Sequence, residues 1–454
     1  MQTLLFLCLV TAALAARPPP SQRKFNSTAV EAYLAQIVPK LKDPDIARIF
    51  TACMPNTLDT TVQKASANDS FIITGDIDAM WLRDSTNQVL PYLRFLNEDP
   101  ALRDMIRGVV LRQLRSVALD PYANSFNIGP NGNGHQDDKR VPPMTPAVFE
   151  GKYEVDSLAA ALRLTFLYWN ITQDASIFDD TFFSAVYKIL EVVEVQMLST
   201  KEQNGTYPYQ FSRPEEGDQY PRAPADHTNM VRSAFRPSDD QTTYDFLVPS
   251  SAMMAKELER LAIMTATIPG PRPAAITNKA KLLGAVIRGA VEANGTVELA
   301  GGTGRRYVFE VDGFKNNNDM DDANVPSLLA MPYYGYCDVN SPNYVATRAT
   351  ILSSQNPWYF EGTAAKGIGS PHTGSNNIWP MAIIIQGLTS TSDAEILQCL
   401  EYLKTTTAGT DFMHESFNKD DASQFTRSWF AWANTLFGEF IMTLADTRPH
   451  LIFQ

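Results

Sequence analysis

The stretch Ala101–Leu119 reads ALRDMIRGVVLRQLRSVAL, with apolar residues three and four positions apart. This spacing predicts an amphipathic α-helix, because residues three or four apart share one helix face. The same pattern predicts helices over Val155–Trp169, Thr181–Leu198, Ser250–Met264, Asn278–Glu292, Ile378–Leu388, Ala394–Thr405, Phe425–Leu444, Val30–Leu41, Ser85–Leu96, Asn324–Met331 and Tyr344–Leu352. Strand signals are few and fall at Phe71–Thr74 and Arg306–Phe314.

About twelve helices without regular alternation of strands and helices indicate an all-α fold. We expect six helical hairpins closed into an (α/α) toroid, with six inner and six outer helices and a few short β-strands in the loops. An open helical solenoid would bury the helices equally well, but no internal repeat of fixed period supports it. Two long loops, Asn124–Glu150 and Asn204–Asp239, are long enough to be functional.

The N-terminal residues 1–16 have the pattern of a secretory signal peptide, with an apolar core followed by small residues ending in Ala15 and Ala16. The apolar run is too short to span a bilayer, which needs roughly 20 residues. We expect residues 17–28 to form a flexible segment and residues 29–454 to form the toroid. N-glycosylation sequons, which favour a secreted glycoprotein or one in the lumen of the secretory pathway, begin at Asn26, Asn68, Asn170, Asn204 and Asn294.

The chain has 4 cysteines, of which Cys8 lies in the predicted signal peptide. Cys53, Cys337 and Cys399 can therefore form at most one disulfide, and stability must come from a large apolar core. The formal net charge of -12 argues against nucleic acid or an anionic membrane as a partner. We expect a soluble monomer that acts on a neutral substrate.

The run GDIDAMWLRDS, Gly75–Ser85, concentrates candidate ligand-binding side chains just before a predicted helix. Trp81 offers a flat apolar face for a sugar ring, and Asp76, Arg83 and Asp84 can bind neighbouring hydroxyl groups. The alternative is a purely structural role, in which Asp84 or Ser85 caps the helix and Arg83 forms an ion pair.

A second run, KYEVDS, places Glu154 and Asp156 at the start of another predicted helix. Acids in the first turn of a helix commonly interact with its dipole. A structural role and a role in ligand binding therefore both stay open for this pair.

The run RSAFRPSDDQ places Asp239 and Asp240 side by side, close to Arg236. Adjacent carboxylates resist full ionisation, so one can keep its proton near neutral pH, as a general acid requires. We favour Asp239 as an ionised helix cap and Asp240 as the proton carrier. The reverse split stays open, as does a pair that is fully ionised and only structural.

The segment Glu310–Asn324 is rich in Asp and Asn but lacks the glycine and glutamate positions of an EF-hand loop. We expect Asn318 to line a sugar subsite and Asn324 to cap the next helix. The 5 histidines include no zinc-binding pattern. We therefore expect neither a metal ion nor a cofactor.

Two further runs, GIGSPHT and MHESF, contribute His372 and Glu415. Glu415 offers a carboxylate able to activate water, and His372 offers a sugar contact. Loop packing for His372 and solvent exposure for Glu415 are the alternatives. Because the sequence contains no other recognisable catalytic motif, Asp240 and Glu415 are the candidate pair of catalytic carboxylates.

The ensemble of runs resembles glycoside hydrolase family 125, the exo-α-1,6-mannosidases. The matching runs are GDIDAMWLRDS, KYEVDSL, RSAFRPSDD, FEVDGF with MDDANVPSLL, GIGSPHT, IWPM and MHESF, and they extend from about Gly75 to Phe417. The resemblance implies an (α/α) toroid and metal-independent hydrolysis with inversion, acting on mannose-containing oligosaccharides or glycoproteins.

Residue by residue, the resemblance implies that an Asp of RPSDD is the general acid and that the Glu of MHESF is the general base. In this sequence these are Asp239 or Asp240, with Asp240 preferred, and Glu415. The implied substrate-binding residues are Trp81, Arg83, Asp84, Asp76, Glu154, Asp156, Arg236, Asn318 and His372.

Three other functions remain compatible with these residues. A glycosidase of other specificity would use the same carboxylate pair on another sugar. A uronate lyase would need a basic cleft and a Tyr or His base, which the negative net charge does not favour. A non-catalytic mannoside-binding protein would bind mannosides without cleaving them.

Overall fold

Helices dominate the computed structural model, which describes residues 17–454, so the predicted signal peptide lies outside the described residues. The α-helices are α1 (Thr28–Ile37), α2 (Pro44–Cys53), α3 (Asn56–Thr60), α4 (Leu82–Val89), α5 (Pro100–Leu119), α6 (Val155–Thr172), α7 (Asp180–Gln196), α8 (Val248–Thr265), α9 (Pro271–Asn294), α10 (Pro342–Ile351), α11 (Pro380–Leu388), α12 (Asp393–Thr405) and α13 (Ala431–Thr447). The helix over Ala101–Leu119 is thus confirmed as α5. It begins where Asp99 accepts a hydrogen bond from the Leu102 amide, with proline at the first helical position.

The inner helices α4, α6, α8, α11 and α13 lie in a ring, in which α13 packs against α4 and closes the circle. The outer helices α2, α5, α9 and α12 pack against them, and α7 packs between α5 and α9. The toroid prediction is therefore confirmed, and the open solenoid is wrong. The apolar faces of the two layers meet in one continuous core.

One predicted helix, Asn324–Met331, does not form, and buried turns take its place between α9 and α10. The carboxylate of Asp321 accepts hydrogen bonds from the Leu328 and Leu329 amides. These two amides therefore do not form helical hydrogen bonds, and Pro326 has no backbone N–H to donate. The prediction that Asn324 caps a helix is consequently wrong.

Other helix boundaries also differ from the prediction. The last helix begins at Ala431 rather than Phe425, because Phe425 and Thr426 pair with Ser416 and Phe417 as strands. Neither Asp84 nor Ser85 caps a helix, since α4 already begins at Leu82. The sequence reading also missed α2, although Asp43 caps it and Pro44 occupies its first position.

The strands are short, and every sheet they form is antiparallel. They are β1 (Val62–Lys64), β2 (Phe71–Ile72), β3 (Met80–Trp81), β4 (Ser125–Phe126), β5 (Lys139–Val141), β6 (Val148–Glu150), β7 (Gln210–Arg213), β8 (Asp218–Tyr220), β9 (Phe246–Leu247), β10 (Thr296–Glu298), β11 (Arg305–Tyr307), β12 (Glu310–Val311), β13 (Asn317–Asn318), β14 (Tyr359–Glu361), β15 (Lys366–Ile368), β16 (Asn377–Ile378), β17 (Ser416–Asn418) and β18 (Phe425–Thr426). Strands β3, β9 and β16 lead directly into α4, α8 and α11. The loops before the inner helices therefore gather at one end of the ring.

The segment 17–28, expected to be flexible, packs on the helical domain. Arg17 pairs with Asp59 at 2.5 Å and also with Glu31, and Thr28 already begins α1. Cys53, Cys337 and Cys399 are unpaired. Among residues 17–454, no helix is long and apolar enough to cross a membrane, and no cluster of side chains is suited to a metal ion.

Candidate active site

A cavity of about 650 Å³ opens at the end of the ring where the inner helices begin. It is lined by Ile77, Trp81, His135, Phe149, Glu150, Lys152, Arg213, Glu216, Asp218, Asp239, Asp240, Gln241, His372 and Arg427. Trp81, Asp239, Asp240 and His372 were predicted as site residues, and the fold brings these four together from three distant runs of sequence.

The two long loops predicted to be functional both contribute to the cavity wall. Strand β5 of the first loop pairs with β7 of the second, so the loops are joined in one small sheet. The Phe149 ring packs against Trp81 at 5.5 Å and against His135 at 5.9 Å between ring centroids. This wall therefore presents aromatic surface to a bound ligand, which suits the apolar faces of sugar rings.

Asp239 and Asp240 are adjacent in sequence but point to different partners. Asp239 has a left-handed backbone, with φ of 67°, and the next helix, α8, begins only at Val248. Asp239 therefore caps no helix, contrary to the prediction. Its carboxylate lies 3.5 Å from Arg83 and accepts a hydrogen bond from Asn124 at 3.2 Å.

Arg83 lies beneath the cavity and is surrounded by carboxylates. Its guanidinium is 2.6 Å from Glu154, 3.2 Å from Asp156, 3.3 Å from Asp84 and 3.5 Å from Asp239. Four acids thus share one buried cation, and we call these five residues the Arg83 cluster. If all four were ionised, the cluster would carry a large uncompensated negative charge, so it must retain at least one proton.

The pKa shifts indicate where that proton resides. Burial raises the pKa of Glu154 well above its usual value, despite the attraction of Arg83. Burial also raises the pKa of Asp84 to about 6. Burial alone would raise the pKa of Asp239 as well, but the Arg83 charge and a hydrogen bond from Glu154 lower it to about 2. These shifts favour the ionised form of Asp239 and the protonated form of Glu154.

Asp240 faces the GIGSPHT loop. Its Oδ1 lies 3.0 Å from Nδ1 of His372, whereas its Oδ2 is buried and has no hydrogen-bond partner. Burial would lower the pKa of His372, but the hydrogen bond with Asp240 and the charges of Asp240, Asp239 and Glu415 raise it to about 9. His372 is therefore protonated near neutral pH in the unliganded protein.

Glu415 lies just behind the cavity wall rather than on its surface. It is buried in the loop before β17, and its Oε1 is 3.5 Å from Nη1 of Arg427. Arg427 lines the cavity, pairs with Asp76 and packs on the Phe430 ring at 4.7 Å. Glu415 is therefore linked to the cavity through Arg427, whereas Asp240 lines the cavity directly.

Arg236 and Asn318 do not line the cavity. Both contact the buried Glu310: the Nε of Arg236 lies 2.6 Å from its Oε1, and Asn318 donates to its Oε2 at 3.0 Å. These contacts join the RPSDD turn to strands β12 and β13. The Arg236 amide also donates a hydrogen bond to the Asp240 carbonyl at 2.8 Å. Arg236 therefore holds the turn that carries the two aspartates, and Asn318 supports it through Glu310.

The sequence reading missed several residues that shape this site. Arg427 stands outside the quoted runs, and Asn124 is the first residue of a long loop, so neither had a local signal. Lys152 lies within the KYEVDS run and donates to the Asp239 carbonyl at 2.8 Å. Only the three-dimensional arrangement identifies these three as site residues.

A family model described as metal-independent α-mannosidase matches residues 43–442. The chain belongs to glycoside hydrolase family 125. It is therefore a hydrolase of this family, as the sequence runs predicted. The match covers α2 to α12, most of α13 and every residue of the Arg83 cluster.

Two relatives of this family 125 chain are similar over nearly their whole length. The "Meiotically up-regulated gene 157 protein" of Schizosaccharomyces pombe is 41% identical, with 96% of this chain and 89% of that protein covered. A metal-independent α-mannosidase from Streptococcus pneumoniae, solved as a non-productive complex with α-1,6-mannobiose, is 39% identical with a TM-score of 0.88, covering 94% of this chain and 100% of that one.

The glucoamylase of Saccharomycopsis fibuligera shares only the fold. It is 11% identical with a TM-score of 0.52, and the match covers 94% of this chain and 98% of that one. The toroid of this family 125 chain is thus also the scaffold of another glycosidase.

Proposed function

We propose that this family 125 chain is an exo-acting α-1,6-mannosidase that releases terminal mannose with inversion. The observation that carries the proposal is that Asp240 lines the cavity and that Glu415 lies 3.5 Å from Arg427, which lines the same cavity. The α-1,6-mannobiose bound by the relative from Streptococcus pneumoniae supports this linkage as the substrate. Mannose-containing oligosaccharides or glycoproteins are the substrate class.

Asp240 is the general acid of the proposed reaction. The glycosidic oxygen must gain a proton as its bond to C1 breaks, and a neutral carboxyl group can supply it. Oδ2 of Asp240 is buried without a partner, so it is the oxygen available to the substrate. Asp239 is held ionised by Arg83 and is less suited to this role.

Glu415 is the general base. It removes a proton from a water molecule as that water attacks C1 on the face opposite the leaving group, which inverts the configuration. The room needed for the water sets the separation of the two carboxyl groups at about 6.5–9.5 Å in inverting enzymes. Arg427 lines the cavity and lies 3.5 Å from Glu415, so its positive charge can hold the carboxylate in place for this step.

The Arg83 cluster stabilises the transition state. Positive charge develops on the sugar ring as the glycosidic bond breaks. Asp239 and its neighbours around Arg83 lie beneath the cavity with a net negative charge even when Glu154 is protonated. Because the positive charge develops only in the transition state, a fixed negative environment stabilises that state more than the ground state.

Hydrolysis of α-1,6-mannobiose followed by ¹H NMR tests the proposal. We expect the mannose released from the non-reducing end to appear first as the β-anomer, before mutarotation, because the water attacks from the opposite face. α-1,2- and α-1,3-linked mannobioses run in parallel test the linkage. First-formed α-mannose would contradict inversion, and cleavage of only the other two linkages would contradict the α-1,6 specificity.

We also propose that the chain enters the secretory pathway. The pattern of residues 1–16 supports this, and so does the exposure of the five sequon asparagines Asn26, Asn68, Asn170, Asn204 and Asn294. N-terminal sequencing of the protein from a eukaryotic host is expected to begin within a few residues of Arg17. A mature chain that still begins at Met1 would contradict the proposal.

A further inference from the structure

His372 is held rigidly against the proposed acid. Its amide hydrogen-bonds to Oγ of Ser370 at 3.2 Å, and Ser370 donates in turn to Asp322 at 3.1 Å. The edge of Trp379 supports the ring at 6.4 Å between centroids. The imidazole is therefore fixed with Nδ1 facing Oδ1 of Asp240, whereas 39% of the side chain remains open to solvent.

The two oxygens of Asp240 have different environments. Oδ1 faces the His372 ring, and Oδ2 is buried with no partner. One edge of the carboxyl group is thus occupied by a titratable donor, and the other is available to a substrate. A carboxyl group in this position can exchange a proton with the imidazole and also present an oxygen to a substrate.

We propose that His372 is a positioning residue that supplies the proton of the general acid, rather than a direct sugar contact. The inference rests on the proposed function, in which Asp240 is the acid. The proton on Nδ1 of His372 first passes to Asp240, which leaves a neutral imidazole and a neutral carboxyl group. As the C1–O bond breaks, this carboxyl group gives its proton to the leaving oxygen. Glu415 takes the proton of the attacking water, and solvent returns a proton to the exposed imidazole.

The charges around the pair favour keeping one proton on it. Asp239 and Glu415 act on His372, while Asp322 and Arg236 act on Asp240 from the neighbouring loops. Three carboxylates thus face the pair against one guanidinium. Burial lowers the pKa of His372, but the hydrogen bond with Asp240 and the charges of Asp240, Asp239 and Glu415 raise it to about 9. His372 therefore holds this proton near neutral pH.

Leaving-group dependence separates proton supply from sugar binding. An aryl α-mannoside with 2,4-dinitrophenol as the leaving group needs little protonation, whereas α-1,6-mannobiose needs a full proton. A lost sugar contact slows both substrates alike, because both present the same terminal mannose. A lost proton supply slows only the disaccharide.

The experiment compares His372→Asn and His372→Ala with the wild-type enzyme. Asparagine can still place an N–H near Oδ1 of Asp240 but cannot release a proton. We expect kcat for α-1,6-mannobiose to fall at least about tenfold in both variants, with less than about a threefold loss for the dinitrophenyl mannoside. Equal losses on both substrates, or wild-type kcat for the disaccharide in His372→Asn, would overturn the proposal.

The pH profile gives an independent result. The alkaline limb of kcat/KM reports loss of the acid's proton from the free enzyme. We expect this limb to move downward by at least about one pH unit in both variants, because they lack the imidazole that holds the shared proton. An unmoved limb would overturn the proposal.

Two controls complete the test. His450→Asn changes an exposed histidine that pairs with Asp393, and it should retain wild-type kinetics. Asp240→Asn separates the two hypotheses, because full activity in that variant would remove the proposed acid itself. Impaired Asp240→Asn together with unaffected His372 variants would overturn only the inference about His372.

Discussion

Glu415→Gln is expected to lower kcat for α-1,6-mannobiose by at least about a hundredfold, with the fold intact. The amide of glutamine cannot accept a proton from water, so the attacking oxygen loses its general base. The substitution preserves the size of a buried side chain whose carboxylate lies 3.5 Å from Arg427. Initial rates at saturating substrate measure the effect, and circular dichroism verifies the fold.

Azide rescue makes this prediction more specific. Azide is a nucleophile that needs no deprotonation, so it should restore turnover of an activated α-mannoside by Glu415→Ala and yield β-mannosyl azide. Glu361→Gln, on the exposed strand β14, is the matched control and should behave as wild type. Wild-type kcat in a correctly folded Glu415→Gln enzyme would exclude Glu415 as the base.

Asp240→Asn is expected to lower kcat for the disaccharide by at least about a hundredfold as well. Asparagine retains the shape of the side chain but has no proton to give to the glycosidic oxygen. The dinitrophenyl mannoside should be affected far less, because its leaving group departs without protonation. Rates on the two substrates, measured side by side, give the comparison.

Asp239→Asn is the matched variant for this experiment. Asp239 is bound to Arg83 and Asn124, so its loss should lower thermal stability without the leaving-group dependence expected of Asp240→Asn. If the leaving-group dependence appears in Asp239→Asn, and Asp240→Asn retains wild-type kcat, Asp239 is the acid instead. That result would also remove the basis for the role of His372.

The helices were predictable because burial of one face imposes a spacing that is visible in the sequence. The failures occurred where a side chain outside the helix competes for the backbone. Asp321 binds two amides of the predicted helix Asn324–Met331. At Phe425 the apolar spacing was misleading, because the left-handed backbone of Arg427, with φ of 44°, ends any helical path before Ala431.

The site was predictable only in part. Runs such as GDIDAMWLRDS and RPSDD identified Trp81, Arg83 and the aspartates because several functional residues are clustered there. The sequence could not reveal that Arg83 is shared by four acids, since Glu154 and Asp156 approach it from another helix. Arg427 gave no local signal, because its role arises only from its position between Asp76 and Glu415.

A crystal structure of the Glu415→Gln variant with α-1,6-mannobiose bound across the cavity would decide whether the two proposed catalytic groups face each other. We predict that the Asp240 carboxyl group and the amide that replaces the Glu415 carboxylate lie on opposite faces of C1, about 6.5–9.5 Å apart, with a water molecule between that amide and C1. A separation of more than about 15 Å between this amide and both Asp239 and Asp240, far outside the inverting range, would contradict the mechanism.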